Sequence, residues 1–375
     1  MIRILHTADV HLDSPFSGLN PSTAELRRNE LRQTFMSMMT AAKRIDADLI
    51  LIAGDLFDGA AVSRETVKML CREFETFGRP VFIAPGNHDP ASPGSVWQRV
   101  TFPENVHVFT STEPEGIDLA DEEGEDTGVT VYGFGFTGPD LETVPIAGWA
   151  ADDPERINLL VCHCDMLGMK STDCPVTPAH LTAFGADYAA LGHIHNPPAA
   201  GPDNRWAYPG CPEPRAFDEP GPKGAILAEI SKKDGVSTVG LRRVRFSRRR
   251  YEKAETDCTG CSDEEDVRER IRRTVSDLGW GDDTLASVRL TGFVPPALLI
   301  DTERLASEDF GLFSLKLADE TRPEADPEIL ENDPGIRGAI WRELGPELSS
   351  DDPRRREVAL RALRHALRAV AGESI

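Results

Sequence analysis

The chain has 375 residues, a length that favours two domains, and 40% of them are hydrophobic, which excludes a wholly disordered protein. Its 63 acidic residues outnumber its 41 lysines and arginines, and the formal net charge of −22 argues against binding of nucleic acid through bulk positive charge. Because no apolar run approaches the ~20 residues of a membrane helix, we expect no contact with a membrane.

The first part of the chain alternates strand-like and helical patterns. Short apolar runs predict buried strands at residues 2–5, 48–53 and 80–84. Residues 22–25 (Ser-Thr-Ala-Glu) have the pattern of a capping box, which predicts a helix N-terminus there. A second helix is expected over residues 63–77, ended by Gly78. This order of elements predicts a layered α/β domain.

Strand-like segments dominate the middle of the chain, and helical patterns return near its end. The middle strands are predicted at residues 129–136, 157–162, 188–191 and 225–230. A domain boundary is expected near residues 247–263, just after an arginine-rich stretch at residues 242–250. Beyond the boundary we predict further helices and strands, an acidic proline-rich linker, and a last helix that starts at Asp352 and Pro353.

Carboxylate, amide and imidazole side chains recur directly after the predicted strands. They are Asp9, His11, Asp55, Asn87, His88, His163, His193 and His195. Ligand sites in α/β sheets lie beyond the carboxyl ends of the strands, so these side chains are expected to converge at one edge. If the backbone stays extended, a spacing of two residues also places Asp9 and His11 on one face, and likewise His193 and His195.

This donor set suits a borderline divalent metal such as manganese, iron or zinc. A lone histidine or a lone Gly-Asn-His-Asp turn is more often structural, but five such motifs in this order favour a metal site. The set offers at least seven potential ligands, too many for one ion, so it indicates two ions that share one carboxylate, with Asp55 as the natural bridge. Two-ion sites of this kind are typical of phosphoryl transfer.

The order D-x-H, G-D, G-N-H-D, H and G-H-x-H resembles that of the calcineurin-like metallophosphoesterases. Longer strings resemble the SbcD-type DNA repair nucleases and their YhaO-like relatives, at residues 6–13, 54–58, 208–215 and 221–224. The resemblance covers roughly residues 1–230 and is loose beyond them. It implies a four-layer α/β/β/α sandwich as the catalytic domain, a smaller α+β capping domain that guides DNA, and a linker with C-terminal helices, at residues 1–247, 248–320 and 321–375.

The resemblance also implies a role for each candidate residue. One ion takes Asp9, His11, Asp55 and His195, and the other takes Asp55, Asn87, His163 and His193. His88 is implied to protonate the departing oxygen, a general-acid role that suits an imidazole near neutral pH. Asp58 is implied to orient His88, and a simple turn residue is the alternative. Manganese is the implied ion, with iron, zinc and magnesium as alternatives.

The implied activity is two-metal hydrolysis of phosphodiesters, by a DNA repair exonuclease that acts on DNA with an SbcC-like coiled-coil ATPase as its partner. Two alternatives use the same core: a phosphomonoesterase, and a phosphodiesterase for small molecules or nucleotides. A non-catalytic scaffold is disfavoured by the complete ligand set and the intact His88. A homodimer, and the choice between exonuclease and endonuclease action, stay open. The arginines of residues 242–250, and Arg215, either contact phosphate or form structural ion pairs.

The cysteines and the remaining histidines carry less information. Seven scattered cysteines are not a disulfide framework, and the N-terminus lacks a signal-peptide pattern, so a reducing cytoplasm is expected. Cys258 and Cys261 supply only two of the about four ligands that a zinc site needs, which favours a loop. His6 is expected to pack or hydrogen-bond in the core. Cys162 and Cys164 are expected to point away from His163.

Overall fold

The structure, a computed structural model, describes residues 1–121, 123–166, 171–197, 200–295, 298–323 and 327–371. It divides into two compact units, Met1–Arg250 and Tyr251–Ile375. The division falls close to the sequence-predicted boundary, whereas a separate C-terminal part from residue 321 stays a prediction. Residues 324–326 of the predicted acidic linker lie outside the described residues. No helix in the described ranges is long and apolar enough to span a membrane.

The first unit begins with alternating strands and helices and ends with a long hairpin. The alternating part contains β1 (Ile2–Thr7), α1 (Pro21–Arg44), β2 (Leu49–Ile52), α2 (Arg64–Phe77), β3 (Val81–Ile83), α3 (Val96–Arg99) and β4 (Val106–Val108). The remainder contains β5 (Glu115–Ala120), β6 (Asp126–Gly133), β7 (Ile157–His163), α4 (Pro178–Phe184), β8 (Tyr188–Gly192), β9 (Trp206–Ala207), β10 (Gly224–Lys233) and β11 (Val236–Arg245).

These strands form two mixed sheets. The first has the order β11–β10–β1–β2–β3–β4 and is parallel from β1 to β4. The second has the order β5–β6–β7–β8–β9 and is parallel from β6 to β9. In each sheet the parallel strands therefore end at a common edge, and the loops that follow them are neighbours.

Three buried clusters show how the layers pack. Alternate residues of β2 such as Ile50 and Ile52 pack against α1 and α2, while Leu51 faces the second sheet. The second sheet in turn packs through Leu160 on α4, where Phe184 is buried. Because the residues of a strand alternate between its two faces, each sheet contributes to two cores. The four-layer α/β/β/α sandwich expected from the sequence is confirmed.

The ends of the first two helices differ in how well the sequence predicted them. The second helix is capped by Ser63 and ends at Gly78, whose φ of 72° lies in the left-handed region, as predicted. The capping box at residues 22–25 was wrong: α1 begins earlier, and the Asn20 side chain accepts a hydrogen bond from the Thr23 backbone nitrogen. Pro21 at the first helical position, with its fixed φ, favours this earlier start.

The second unit is an α+β unit with a core of its own. It contains β12 (Arg250–Asp257), α5 (Glu264–Asp277), β13 (Thr284–Thr291), β14 (Phe293–Val294), α6 (Thr302–Ala306), β15 (Ser314–Asp319), β16 (Arg322–Pro323), α7 (Pro327–Asn332), α8 (Ile336–Leu344) and α9 (Pro353–Ala371). Cys258 and Cys261 are buried in its core, and burial raises the pKa of Cys258 to about 12. Among the described residues, neither belongs to a group of side chains placed to bind a metal.

Candidate metal centre

The loops that follow β1 and β2 place the first carboxylates and imidazole of the site. The Asp9 backbone nitrogen donates to the Gly54 carbonyl at 3.1 Å, and the His11 backbone nitrogen donates to the Asp55 carbonyl at 2.9 Å. These two bonds continue the pairing of β1 with β2 past the ends of the strands. They bring Asp9, His11 and Asp55, all of them buried, to one edge of the sheet.

The second sheet supplies the remaining imidazoles from the same edge. His163 is the last residue of β7, and its Nδ1 lies 3.0 Å from the Ala53 carbonyl oxygen at the end of β2. The His193 backbone nitrogen donates to the Asp9 carboxylate at 3.0 Å. The site therefore lies where the two sheets meet, and each sheet provides part of it.

The two-residue spacing would place Asp9 and His11 on one face of a strand only if the backbone were extended, and at this site it is not. The φ angles are 52° at Asp9, 49° at His11, 50° at Asp55 and 109° at His193. Positive φ in residues other than glycine costs about 1–3 kcal/mol each and persists only where surrounding structure enforces it. The side chains converge because of these left-handed loops, and strand alternation does not bring them together.

Two glycines explain why the motifs read G-D and G-N-H-D. A Cβ on Gly54 would lie 2.3 Å from His163 Nδ1, and the φ of Gly54 is 87°. A Cβ on Gly86 would lie 2.2 Å from Asp55 Oδ1 and 2.8 Å from the Asp55 backbone nitrogen. Both glycines therefore let a metal-binding candidate approach the backbone closely.

One group of candidate donors surrounds the facing rings of His11 and His195. Their Nε2 atoms lie 3.2 Å apart. His11 Nε2 lies 3.5 Å from Asp55 Oδ2, and His195 Nε2 lies 3.8 Å from Asp9 Oδ1. One donor atom from each of these four residues lies within 4.8 Å of the others, which is close enough to hold one ion.

A second group adjoins the first through Asp55. His163 Nε2 lies 3.5 Å from Asp55 Oδ2 and 3.0 Å from Asn87 Oδ1. The His193 ring packs edge-on against that of His163, with centroids 5.2 Å apart. Burial, and then the neighbouring His163, lowers the pKa of His193, which keeps its ring neutral and able to bind a metal. Asp55 thus faces both groups, as a bridging carboxylate must.

The chemistry of these donors fits cations. Burial lowers the pKa of His11 and keeps its ring neutral, and its Nδ1 lies 2.9 Å from Asp58 Oδ1 while its Nε2 faces the other donors. His163 directs Nδ1 at a carbonyl, so its Nε2 presents a lone pair to oxygen acceptors. Burial alone would lower the pKa of His195, but the hydrogen bond to Glu219 and the charge of Asp9 raise it. A bound cation would stabilise these imidazole nitrogens and carboxylate oxygens, which face one another.

His88 differs from the other candidate histidines because its side chain is 45% exposed. Its backbone nitrogen donates to Asp55 Oδ1 at 3.0 Å, which fixes the loop beside the metal-binding candidates. A cavity of about 330 Å³ borders the ring, and it is lined by Asn87, Pro90, Ser92, Pro93 and Pro139. His88 therefore faces open space in which a ligand of the metal centre would lie.

Asp58 has closer partners than the one that the sequence suggested. Its Oδ1 lies 3.7 Å from His88 Nδ1, beyond hydrogen-bond distance, but 2.9 Å from His11 Nδ1 and 2.6 Å from Arg215 Nη1. Its Oδ2 accepts a hydrogen bond from Ser14. In this structure Asp58 contacts His11 directly, and its orientation of His88 stays a prediction.

Sequence reasoning gave no role to two acidic residues that support the site. Glu219 lies 2.7 Å from His195 Nδ1, and this hydrogen bond and Arg215 outweigh burial and hold the pKa of Glu219 at about 2. Asp89 accepts hydrogen bonds from the backbone nitrogens of Gly86 and Phe57. Burial, and then the nearby charge of Asp55, raises the pKa of Asp89. No spacing pattern in the sequence relates Glu219 to the candidate histidines.

The side chains that the sequence analysis placed in the core are buried there. His6 is buried, with Nδ1 2.8 Å from the Tyr188 hydroxyl and Nε2 3.2 Å from the Leu191 carbonyl oxygen. Cys162 and Cys164 lie in the core between the second sheet and α4. Both predictions are confirmed, and these side chains stand apart from the metal centre.

The chain is similar to one protein family and to several individual proteins. The family model described as calcineurin-like phosphoesterase matches residues 2–197. The uncharacterized metallophosphoesterase YhaO of Bacillus subtilis is 32% identical over 349 residues, which cover 87% of this chain and 83% of that protein. The DNA double-strand break repair protein Mre11 of Methanopyrus kandleri is 26% identical over 294 residues, or 72% of this chain and 63% of that protein. The SbcD component of the nuclease SbcCD from Staphylococcus epidermidis is 27% identical over 228 residues, or 52% of this chain and 57% of that protein.

Proposed function

The chain belongs to the calcineurin-like phosphoesterase family, and on that premise we propose that it is a two-metal phosphodiesterase that cleaves DNA. The family membership confirms the resemblance found in the motifs. The single observation that carries the catalytic part of the proposal is the cluster of facing acceptors beside the exposed His88. The DNA part rests on the similarity to nucleases and on the local charge along β11.

We assign the donors to two ions as the resemblance to the family implies. One ion takes Asp9, His11, Asp55 and His195, and the other takes Asp55, Asn87, His163 and His193. When bound, a pair of divalent cations supplies a nucleophile at neutral pH and withdraws charge from the phosphoryl oxygens. The carboxylate, amide and imidazole donors suit a divalent ion, and we propose manganese because the family resemblance implies it, with iron, zinc or magnesium as alternatives.

The protein's own groups then orient the substrate and move one proton. The cavity beside His88 receives the part of the substrate that leaves, and His88 protonates the departing oxygen. Asp58 holds His11, and in the same position it limits the movement of the His88 ring, whose centroid lies 4.8 Å from that of His11. The buried loops on the other side exclude water from the donors.

Local charge supports DNA as the substrate despite the net charge of −22. Arg242, Arg243, Arg245 and Arg248 are exposed along β11 and the turn after it. A cavity of about 470 Å³ lies between this strand and Asn196, which directly follows the ligand candidate His195, and Lys223 also lines it. A cavity lined by Arg243 and Arg245 suits a phosphate backbone. Arg249 is different, because it pairs with Glu30 at 2.6 Å.

Further parts of the proposal follow the similarity to nucleases. The chain covers 63% of the Mre11 relative and 57% of the SbcD relative, so the activity and partners of those whole proteins are proposals here. We propose an SbcC-like coiled-coil ATPase as the partner, a DNA-guiding role for residues 248–320, and action in the cytoplasm. The alternative is a phosphomonoesterase or a small-molecule phosphodiesterase on the same centre, which would share every metal ligand.

The experiment offers the manganese-loaded protein three substrates: labelled linear duplex, labelled single-stranded DNA and bis-p-nitrophenyl phosphate. We expect cleavage of DNA as well as of the small ester. The variant Arg245→Glu, at an exposed arginine that lines this cavity, should lower kcat/KM on DNA, most strongly at low salt, and leave the small ester unchanged. Arg72→Glu, at an exposed arginine of α2, is the matched control. Cleavage of the small ester alone, with an ATPase partner present, would overturn the nuclease proposal in favour of the alternative.

A further inference from the structure

A closed ring of polar contacts runs behind the two facing imidazoles. His195 Nδ1 lies 2.7 Å from Glu219 Oε1, which lies 3.2 Å from Arg215 Nη2. Arg215 Nη1 lies 2.6 Å from Asp58 Oδ1, which lies 2.9 Å from His11 Nδ1. The ring closes where the Nε2 atoms of His11 and His195 meet at 3.2 Å. Arg215 is its only cationic member, and it touches both carboxylates.

Both terminal nitrogens of Arg215 are occupied by this ring. The Arg215 side chain is only 16% exposed, and its backbone nitrogen also donates to Glu219 Oε2 at 2.5 Å. Of the two roles that the sequence left open for Arg215, the structure therefore favours an ion pair over a contact with substrate phosphate. A guanidinium is planar and forked, so it can hold two carboxylates at once in a fixed relation.

The two carboxylates come from distant parts of the chain. Asp58 lies in the loop after β2, and Glu219 precedes β10. Glu219 is hydrogen-bonded to His195, and Asp58 Oδ1 lies 2.9 Å from His11 Nδ1, so each carboxylate lies directly beside one imidazole. Without a cation between them, Asp58 and Glu219 would repel each other, and the two rings that they hold would lose their common geometry.

We propose that Arg215 is a positioning residue that fixes the separation of His11 and His195, and so creates the binding geometry for one of the two ions. This inference depends on the proposed function in one respect, which is that ions bind at this centre. It assigns no contact between Arg215 and substrate. The ion affected is the one that His11 and His195 share, whereas the donors of the other ion lie outside the ring.

The test measures manganese binding to the full chain by isothermal titration and elemental analysis, without any substrate. We expect Arg215→Met to weaken binding of one ion by roughly 10–100-fold and to leave the other ion in place. Arg215→Lys keeps the positive charge but has no fork, so we expect a partial recovery of affinity. Glu219→Gln breaks the same ring at the next member, so its effect and that of Arg215→Met should be less than additive in the double variant.

Arg156→Met is the matched control. The Arg156 side chain is 17% exposed and pairs with Asp126 at 2.6 Å, but it lies before β7, at the end of that strand opposite His163. Thermal unfolding in EDTA reports whether each variant is folded. Unchanged manganese affinity in folded Arg215→Met, or an equal loss in Arg156→Met, would overturn the proposal. Absence of manganese binding to the unaltered chain would instead overturn the proposed function, so the two failures are distinguishable.

Discussion

His11 and His195 come from different sheets and point their Nε2 atoms at each other across 3.2 Å. Each ring directs its other nitrogen at a carboxylate, Asp58 for His11 and Glu219 for His195. The two facing nitrogens are therefore the ones placed to meet a cation. The pair lies beside Asp9 and Asp55, and the four residues are placed so that they could hold one ion, which makes the behaviour of several variants predictable.

Replacement of His88 separates catalysis from metal binding. We expect His88→Ala to keep its manganese content and to lose roughly 10²–10⁴-fold in the rate of DNA cleavage, because the departing oxygen loses its proton donor. The loss should be smaller for bis-p-nitrophenyl phosphate, whose nitrophenolate leaves without a proton. Initial rates and elemental analysis decide this. Equal losses on both substrates, or loss of manganese, would contradict the role given to His88.

Asp55→Asn should remove the ions themselves. Asp55 is buried and faces both donor groups, with its Oδ2 3.5 Å from His11 Nε2 and from His163 Nε2. An amide has no charge to share between two cations, so we expect the metal content and all phosphoesterase activity to fall to background. Asp121→Asn, at an exposed position of the β5–β6 loop, is the control that should leave both unchanged. A variant at residue 55 that kept both ions would show that Asp55 is not the bridge.

Gly86→Ala tests the close packing of the site. The added methyl group would lie 2.2 Å from Asp55 Oδ1 and 2.8 Å from its backbone nitrogen, so Asp55 must move. We expect manganese affinity to fall by at least about 10-fold, an effect of the size seen when groups that orient ligands are disturbed. Gly18→Ala, where an added Cβ meets nothing within 4 Å, should bind manganese normally. Isothermal titration of both variants provides the comparison.

Removal of divalent ions should lower the stability of the first unit. The buried acceptors repel one another unless a cation lies between them, and an ion that binds only the folded state stabilises it by about 2.7 kcal/mol at a concentration 100 times its Kd. Thermal unfolding should therefore occur at a lower temperature in EDTA than in manganese. Asp55→Asn should unfold at the same temperature in both buffers. A metal-dependent shift of equal size in that variant would place the stabilising ion elsewhere.

We expect the buried His6 to make the folded protein less stable in acid. Burial, partly opposed by a hydrogen bond to the Leu191 carbonyl, lowers its pKa to about 3. Between pH 6.5 and 3 the unfolded chain binds a proton at His6 and the folded protein does not, so this residue destabilises the folded state as the pH falls. The contribution is about 2 kcal/mol at pH 5. Urea unfolding in EDTA gives the free energy of unfolding at pH 7 and at pH 5. The decrease between these two values should be smaller by about that amount in His6→Gln than in the unaltered protein. Equal decreases in both proteins would contradict the prediction.

Much of the fold and of the donor set was predictable because it is encoded locally. Buried strands appear as apolar runs, and a polar motif directly after a parallel strand must lie at the edge of the sheet. This reasoning located Asp55, Asn87 and His163 from their positions in the chain alone. The N-terminus of α1 was predicted wrongly because the capping-box pattern at residues 22–25 competed with the stronger pair of Asn20 and Pro21.

The supporting contacts were not predictable because they depend on tertiary packing. Asp58 and Arg215 are 157 positions apart, and no periodic pattern relates them. The left-handed backbone at Asp9 and Asp55 is likewise accompanied by hydrogen bonds between loops that no local pattern predicts. Sequence order therefore identifies the donors, whereas the distances between them, and the residues that set those distances, belong to the folded chain.

The metal centre takes its donors from both sheets, and this has a mechanical consequence. Asp9, His11, Asp55 and Asn87 follow strands of one sheet, and His163, His193 and His195 belong to the other. Ions held among them would act as cross-links between the two halves of the sandwich, in a chain whose described cysteines are all free thiols. A chelator would remove such a cross-link and added metal would restore it, so the ions that organise the reaction would also contribute to how firmly the two sheets are held together.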